Sequence, residues 1–171
     1  MLPLGLQAAK VDTLQVKSPS MNKSIEVVVV SPDVTATKAC PVIYLLHGYG
    51  GNARTWVGIK PDLPKIADEK GIFFVCPDGK NTWYWDSPLN ADVRYETFIS
   101  DELVKYVDSH YKTVADRKGR AITGLSMGGH GAMWNGLRHS DVFSAAGSTS
   151  GGVDIRPFPK NWEMSVQIGE K

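Results

Sequence analysis

One serine lies in a setting that is typical of a nucleophile. Ser126 is the centre of Gly-Leu-Ser-Met-Gly, residues 124–128, between an apolar run and the start of a helical pattern. This motif between a strand and a helix predicts a tight turn that presents the serine hydroxyl above the sheet edge. Side chains at positions 124 and 128 would collide with neighbouring backbone, which explains the two glycines. The alternative is a glycine-serine turn that only joins a strand to a helix.

A second glycine-rich stretch could serve the same chemistry. His-Gly-Tyr-Gly-Gly, residues 47–51, follows the apolar run 42–46, and its glycines let backbone N–H groups approach a ligand closely. We expect the N–H groups of Tyr49 and Met127 to form an oxyanion hole, with the N-terminus of the following helix adding its positive dipole end. The alternative is a loop that binds no ligand.

The elements that must position these residues alternate between strand and helix. Short apolar runs bounded by turn residues, at 25–30, 42–46, 72–76 and 120–124, are typical of strands buried on both faces of a parallel sheet. Residues 12–18 are a further strand candidate, and 143–147 would be the last strand. The clearest helix is 95–111, whose apolar residues share one stripe at helical spacing. The order predicts an α/β fold with a mostly parallel sheet and helices on both faces.

The composition excludes several partner classes. The 171 residues carry a net charge of +1 without a long basic run, which argues against nucleic acid or an anionic membrane as a partner. No stretch reaches the ~20 apolar residues that span a bilayer.

Cys40 and Cys76 would lie at opposite ends of neighbouring strands, roughly 16 Å apart, so we expect two free thiols. The histidines and cysteines lack metal-ligand spacing, and neither a metal nor an organic cofactor is implied.

Several separate motifs resemble one branch of the α/β-hydrolases. They are YLLHGYGGNARTW, FVCPDG, WYWDSP, DELVKYVDSHY and GLSMGGHGAM, in this order from about residue 22 to the chain end. The branch is the esterase D-like group, which includes S-formylglutathione hydrolases, tributyrin-type esterases, mycolyltransferases, and the feruloyl and acetylxylan esterases of carbohydrate esterase family 1. The resemblance implies that Ser126 is the nucleophile and that Tyr49 and Met127 donate backbone N–H groups. It also implies that the aromatic loop with Trp83 and Trp85 lies near the substrate.

The general base is the catalytic residue that these motifs do not supply. In the resembled family an aspartate and then a histidine follow the nucleophile, on loops after two further strands. The chain has four histidines, His47, His110, His130 and His139, and none follows residue 139. His130 lies one helical turn after Ser126, but the helix carries it away from the hydroxyl. After the elbow the only aspartates are Asp141 and Asp154, and neither follows a recognisable seventh strand.

We therefore interpret the sequence as the N-terminal two-thirds of an esterase. Residues 10–171 would form a partial domain that ends after the sixth strand. Alone it is expected to be nearly inactive, and a C-terminal fragment or a second chain would complete the triad. The expected substrates are feruloyl or acetyl esters of plant polysaccharide, or small short-chain esters. The alternatives are an S-formylglutathione hydrolase-type thioesterase and a non-catalytic carbohydrate-binding remnant of the fold.

The N-terminus bears on location. Residues 1–9 resemble the end of the apolar region of a secretory signal, followed by the small residues Ala8 and Ala9. The positively charged region that should precede them is missing, so a loosely docked tail is the alternative. We expect an exported protein, with a cytoplasmic one as the alternative.

Overall fold

The protein is described by a computed structural model that covers residues 9–33, 37–158 and 160–169. Its strands are β1 Lys10–Ser18, β2 Lys23–Ser31, β3 Val42–Leu46, β4 Phe73–Pro77, β5 Arg120–Gly124 and β6 Ala145–Ala146. They form one six-stranded sheet in the order β1-β2-β4-β3-β5-β6. The first two strands pair antiparallel, β2 also pairs antiparallel with β4, and β4, β3, β5 and β6 run parallel. The mostly parallel sheet predicted from the sequence is thus confirmed.

Helices connect the parallel strands. They are α1 Thr55–Ile59, α2 Leu63–Lys70, α3 Tyr95–Thr97, α4 Leu103–His110, α5 Met127–Arg138 and α6 Met164–Ile168. A π-helical turn, Phe98–Glu102, joins α3 to α4, so the predicted helix is present with one widened turn in its middle. Phe98, Ile99, Leu103 and Val107 of the predicted stripe are all fully buried. The helical spacing of the sequence therefore identified the buried face correctly.

The core lies on both faces of the sheet because successive strand residues point to opposite sides. In β2, Val27 and Val29 join a cluster beneath α4 and α5, whereas Val28 and Val30 join a second cluster. The second cluster is covered by α2, whose Leu63 is buried. These β-branched residues suit strands that are buried on both sides. Helices thus cover both faces, as the alternation of elements predicted.

The last strand is shorter than the sequence predicted. The pattern predicted a strand through residues 143–147, but β6 holds only Ala145 and Ala146, and both are exposed. Its inner edge pairs with β5, and one further parallel bridge joins Leu125 to Thr149. The chain then turns away over the end of α5, where Gly151 lies so close that a Cβ would be 2.6 Å from the Gly129 carbonyl carbon. The sheet ends in a short exposed edge on this side.

The two cysteines lie inside the fold. Cys40 and Cys76 are buried and unbridged, as predicted. Burial raises the pKa of Cys40 and raises that of Cys76 to about 12, so both are protonated thiols at neutral pH. The predicted signal-like segment falls almost entirely in residues 1–8, which lie outside the described residues. No helix in the described part of the chain is long and apolar enough to span a membrane.

Candidate active site

Ser126 lies at the junction of β5 and α5 with an unusual backbone. Its φ of 53° and ψ of −118° are far from the regions that ordinary residues occupy. The Ser126 N–H donates to Thr149 O at 2.8 Å, and the Ser126 carbonyl accepts from the His130 N–H at 3.0 Å. These bonds hold the residue in place at both ends while its side chain remains exposed. This is the strained serine elbow that the Gly-Leu-Ser-Met-Gly motif predicted.

The two flanking glycines are required by close backbone contacts. A Cβ at Gly124 would lie 2.4 Å from the carbonyl of Gly128. A Cβ at Gly128 would lie 2.1 Å from the Leu46 carbonyl oxygen and 2.6 Å from that of His47. The first turn of α5 thus packs directly on the end of β3. This contact sets the distance between the serine and the loop that follows β3.

That loop provides the second half of the site. A Cβ built on Gly48 would lie 3.5 Å from the Ser126 Cβ, so the loop backbone runs beside the serine. The Gly50 N–H donates to Asn81 Oδ1 at 2.8 Å, which ties the loop to the segment after β4. Among the described residues, the N–H groups of Tyr49 and Met127 have no hydrogen-bond acceptor. Two amide donors without a described acceptor therefore lie on the two segments that meet at the serine.

His47 holds this loop in place through contacts of its two ring nitrogens. Its ring is buried; Nδ1 lies 2.7 Å from the Gly48 carbonyl, and Nε2 accepts from the Gly79 N–H at 2.9 Å. Both ring nitrogens therefore have a polar partner, and Nε2 also lies 3.5 Å from Asp78 Oδ1. Burial opposes ionisation of the adjacent Asp78, but its contacts with His47 and with the Lys80 ammonium, 2.6 Å away, hold its pKa well below the ordinary value. His47 is thus a structural residue, and both of its ring nitrogens have partners.

The serine opens into a cleft of about 310 Å³. Three aromatic side chains and a run of small residues line it: Tyr49, Trp83, Trp162, Ser150, Gly151 and Gly152, with Ser126. Trp162 was not among the residues that the sequence singled out. It is 36 positions from Ser126 in the chain, and only its tryptophan type could have drawn attention to it. The cleft is therefore mostly aromatic on one side and without bulky side chains on the other.

The two tryptophans predicted to bind substrate have different positions. Trp83 lines the cleft, although only 4% of its surface is exposed. Trp85 is 2% exposed and does not line the cleft; its ring stacks against Trp83 with centroids 5.9 Å apart. Trp83 therefore forms part of the cleft wall, and Trp85 packs behind it. Direct contact of Trp85 with a substrate would require the loop to move.

His130 belongs to the same aromatic packing. Its ring lies edge-on to Trp83 and Trp85, with centroids 5.3 and 5.0 Å away, and Nδ1 lies 2.7 Å from the Gly152 carbonyl. Burial lowers the pKa of His130, although the bond to Gly152 opposes this, so the ring is neutral at pH 7. No hydrogen bond joins the His130 ring to the Ser126 hydroxyl. The helix was predicted to carry His130 away from the hydroxyl, and its ring packs against Trp83 and Trp85 instead.

The remaining histidines are also engaged elsewhere. His110 stacks on Tyr106 with ring centroids 3.9 Å apart, at the end of α4. His139 contacts a Glu96 oxygen at 2.8 Å through Nε2. Asp154, one of the two aspartates after the elbow, pairs with Arg156 at 2.7 Å and is not among the described residues that line the cleft. All four histidines of the chain are described, and none hydrogen-bonds to the Ser126 hydroxyl.

The outer face of α5 carries a second, apolar depression of about 320 Å³. Its walls include Leu137 and Val153, which are 70% and 68% exposed. At its rim the buried Glu96 accepts hydrogen bonds from Trp134 Nε1 at 2.7 Å and Arg138 Nε at 2.8 Å. Burial opposes ionisation of Glu96, but these bonds outweigh it and lower the pKa of Glu96. This face adjoins the exposed edge of β6.

A parallel sheet covered on both faces, with a strained serine between a strand and a helix, defines an α/β-hydrolase. The family model described as "Putative esterase" matches residues 18–168. The chain belongs to this esterase family.

Individual relatives agree with this assignment. An esterase of Mycobacterium tuberculosis is 30% identical over 149 residues, which are 83% of this chain and 32% of that protein. The endo-1,4-beta-xylanase/feruloyl esterase of Xylanibacter ruminicola is 34% identical over 123 residues, which are 66% of this chain and 17% of that protein. The chain thus spans about a third or less of the length of these relatives.

Solved structures show the same architecture. A ferulic acid esterase superposes with a TM-score of 0.76 at 30% identity, covering 95% of this chain and 67% of that one. An S-formylglutathione hydrolase of Agrobacterium tumefaciens superposes with a TM-score of 0.82 at 22% identity, covering 95% of this chain and 65% of that one. At that identity the second likeness shows the fold alone.

Proposed function

We propose that this chain carries the nucleophile, the oxyanion hole and the acyl cleft of a serine carboxylester hydrolase. One observation carries the proposal. Ser126 is held at a φ of 53°, with its side chain exposed in the cleft and the unpaired Met127 N–H directly after it. A strained, exposed serine beside free amide donors is costly to maintain and has no packing role. Its geometry suits attack on a carbonyl carbon.

The reaction would proceed in two steps. Ser126 Oγ attacks the ester carbonyl while a base takes its proton, and the oxyanion accepts hydrogen bonds from the N–H groups of Tyr49 and Met127. The carbon–oxygen bond to the alcohol then breaks, the alcohol leaves with the proton, and an acyl-enzyme remains. A water molecule, deprotonated by the same base, attacks the acyl carbon. The acid is released and the serine regains its proton.

We propose that the base is supplied by polypeptide outside these 171 residues. None of the four histidine side chains hydrogen-bonds to the Ser126 hydroxyl, and about a third of the ferulic acid esterase chain lies outside the part that this chain matches. The exposed β6 edge and the apolar α5 face around Leu137 would receive such a segment, because parallel sheets are normally covered on both sides. Without it, we expect only ~10³–10⁴-fold catalysis over water, by comparison with proteases that have lost a triad member.

For the substrate we favour esters with a feruloyl or acetyl group on plant polysaccharide, followed by small short-chain esters. The aromatic cleft supports a phenolic acyl group, and two of the compared proteins are named feruloyl or ferulic acid esterases. The cleft is less well suited to a glutathione thioester. Glutathione carries two carboxylates, and among the described residues that line the cleft there is no lysine or arginine. An extracellular location would fit a polysaccharide substrate.

A fluorophosphonate probe tests the nucleophile, because it reacts with activated serines. We expect labelling of the chain only when the polypeptide corresponding to the unmatched third of the ferulic acid esterase is added, and none in Ser126→Ala. Ser150→Ala is the matched control, since Ser150 lines the same cleft and should not affect labelling. Labelling that persists in Ser126→Ala would refute the assignment.

A non-catalytic carbohydrate-binding protein is the second candidate. The lack of any imidazole at Ser126 within this chain favours it. The two candidates differ in the complementation experiment. A chain that binds arabinoxylan tightly and stays unlabelled with the added segment would be a binding protein.

A further inference from the structure

Two adjacent residues beside the cleft adopt a backbone conformation that ordinary side chains rarely accept. Trp162 has a φ of 51° and Glu163 a φ of 58°, both in the left-handed region. Each such residue costs of order 1 kcal/mol or more unless its surroundings enforce it, and such residues cluster at ligand sites. Neither is a glycine, an asparagine or an aspartate, which are the residues that enter this region most readily. The surroundings must therefore hold this pair.

One side of the pair is fastened to the wall of the cleft. The indole N–H of Trp83 donates to the backbone carbonyl of Trp162 at 3.1 Å. A second bond, from Ser87 Oγ to the Gln167 carbonyl at 2.5 Å, ties the following helix to the same aromatic loop. Met164, next in the chain, is 1% exposed and anchors the segment in the core. The segment is thus attached to the loop that includes Trp83 at two points.

The other side of the pair faces the cleft. Trp162 and Tyr49 both line it, and Tyr49 also supplies one proposed oxyanion donor. The two residues, called here the Trp162–Glu163 bridge, therefore join the helix that begins at Met164 to the wall at Trp83.

The bridge leaves the Trp162 ring available to a ligand. Trp162 is 52% exposed and lines the same cleft as Ser126. The wall formed by Ser150, Gly151 and Gly152 carries no large side chain, so the space suits a flat group. A planar acyl group is the ligand that gains most from such a slot, because an aromatic ring can stack on the indole. An aliphatic acyl group of similar size gains area burial without the stacking geometry.

We propose that Trp162 is a specificity-determining residue that stacks on a planar acyl group. The proposal rests on the proposed function in that the acyl group enters the cleft of Ser126. It goes beyond that function because it assigns the choice of acyl group to a residue distant in sequence from every motif. The strain at Trp162 and Glu163 then serves to place the indole.

Binding measurements test this without requiring catalysis. In the Ser126→Ala background, ligand-observed NMR would give the affinities of methyl ferulate and methyl hexanoate. We expect Trp162→Ala to weaken methyl ferulate about tenfold and methyl hexanoate by less than about threefold. Trp162→Phe should restore the ferulate affinity to within about threefold. The backbone carbonyl that holds Trp83 is unchanged in both variants, so the bridge should persist.

A nearby aromatic residue provides the matched control. Phe158 packs against Trp162, with ring centroids 5.9 Å apart, and is 46% exposed but does not line the cleft. Phe158→Ala should leave both affinities within about twofold of the parent.

Each outcome supports or overturns the proposal. Equal losses for both esters in Trp162→Ala, or no loss for either, would overturn the role of Trp162. If Ser126 resists the fluorophosphonate probe while ferulate binding still depends on Trp162, the nucleophile assignment fails and the specificity assignment stands.

Discussion

The contact between Gly128 and β3 makes the strongest prediction about the elbow. In Gly128→Ala the new Cβ would start 2.1 Å from the Leu46 carbonyl oxygen, a distance that real Cβ atoms do not adopt. That oxygen cannot retreat freely, because it accepts hydrogen bonds from Trp56 Nε1 at 3.0 Å and from the Leu125 N–H at 3.3 Å. The helix α5 must therefore move away from β3 by about 0.9 Å for the contact to reach 3.0 Å.

The cost of this movement follows from core overpacking. Such substitutions cost about 1–3 kcal/mol, and we expect the upper end because the clash is with backbone on both sides. For a chain of 171 residues this corresponds to a Tm lowered by roughly 6–12 °C, at about 2–4 °C per kcal/mol. Thermal unfolding followed by circular dichroism measures it. The serine moves with the helix, and a 1 Å misplacement costs ~10² in rate, so probe labelling of the complemented protein should also fall.

A second glycine provides the control for the same chemical change. Gly58 lies in α1, and a Cβ there meets nothing within 4 Å. Gly58→Ala should raise the free energy of unfolding by about 0.5–1 kcal/mol, because alanine loses less backbone entropy in a helix. A Gly128→Ala variant that melts at or above the parent temperature would refute the contact argument.

Three further outcomes are expected. His47→Ala should cost about 1–3 kcal/mol of unfolding free energy, because it leaves the buried Gly79 N–H unpaired, and hydrogen exchange at that amide should accelerate. Because the pKa of Glu96 is lowered by folding, its stabilising contribution is present above its ordinary pKa and is lost as pH falls through the folded value. Glu96→Gln should therefore reduce the loss of stability between pH 6 and pH 3 in urea titrations. Leu137→Glu should leave the Tm within about 2 °C but prevent complementation by the added segment, as measured by probe labelling.

Short-range patterns predicted much of the fold and the elbow. The run 42–46 became β3 without adjustment, because four apolar residues and a tyrosine bounded by turn residues leave little choice of boundary. Gly124 and Gly128 were interpreted correctly because their function is local: the motif itself defines the contact that a side chain would disrupt. The Tyr49 amide was identified through its position one residue after Gly48. The roles of Tyr49 and Met127 as donors stay predictions until a ligand or rate tests them.

The residues that sequence reasoning missed depend on long-range contacts. Trp162 enters the cleft only because Trp83, 79 positions earlier, bonds to its carbonyl. Trp85 was grouped with Trp83 because the two are neighbours in the chain. Both Trp83 and Tyr84 have a positive φ, which turns the loop so that the two tryptophans lie at different depths. The length of β6 was overestimated because residues 143–147 are apolar enough for a strand, whereas only Ala145 and Ala146 pair with β5 in a continuous ladder.

The widened turn Phe98–Glu102 has a consequence for variation in chain length. A π turn holds one residue more than an α turn, so the segments before and after it are offset by about 100° in rotation. This offset lets Glu96 face α5 while Glu102, on the far side of the turn, accepts from the Ser20 N–H beside β1 at 2.7 Å. Removing one residue here would restore a regular helix and force one of these two attachments to be abandoned. Homologues that lack one residue in this helix should therefore have lost or replaced either the contact with β1 or the contact with α5.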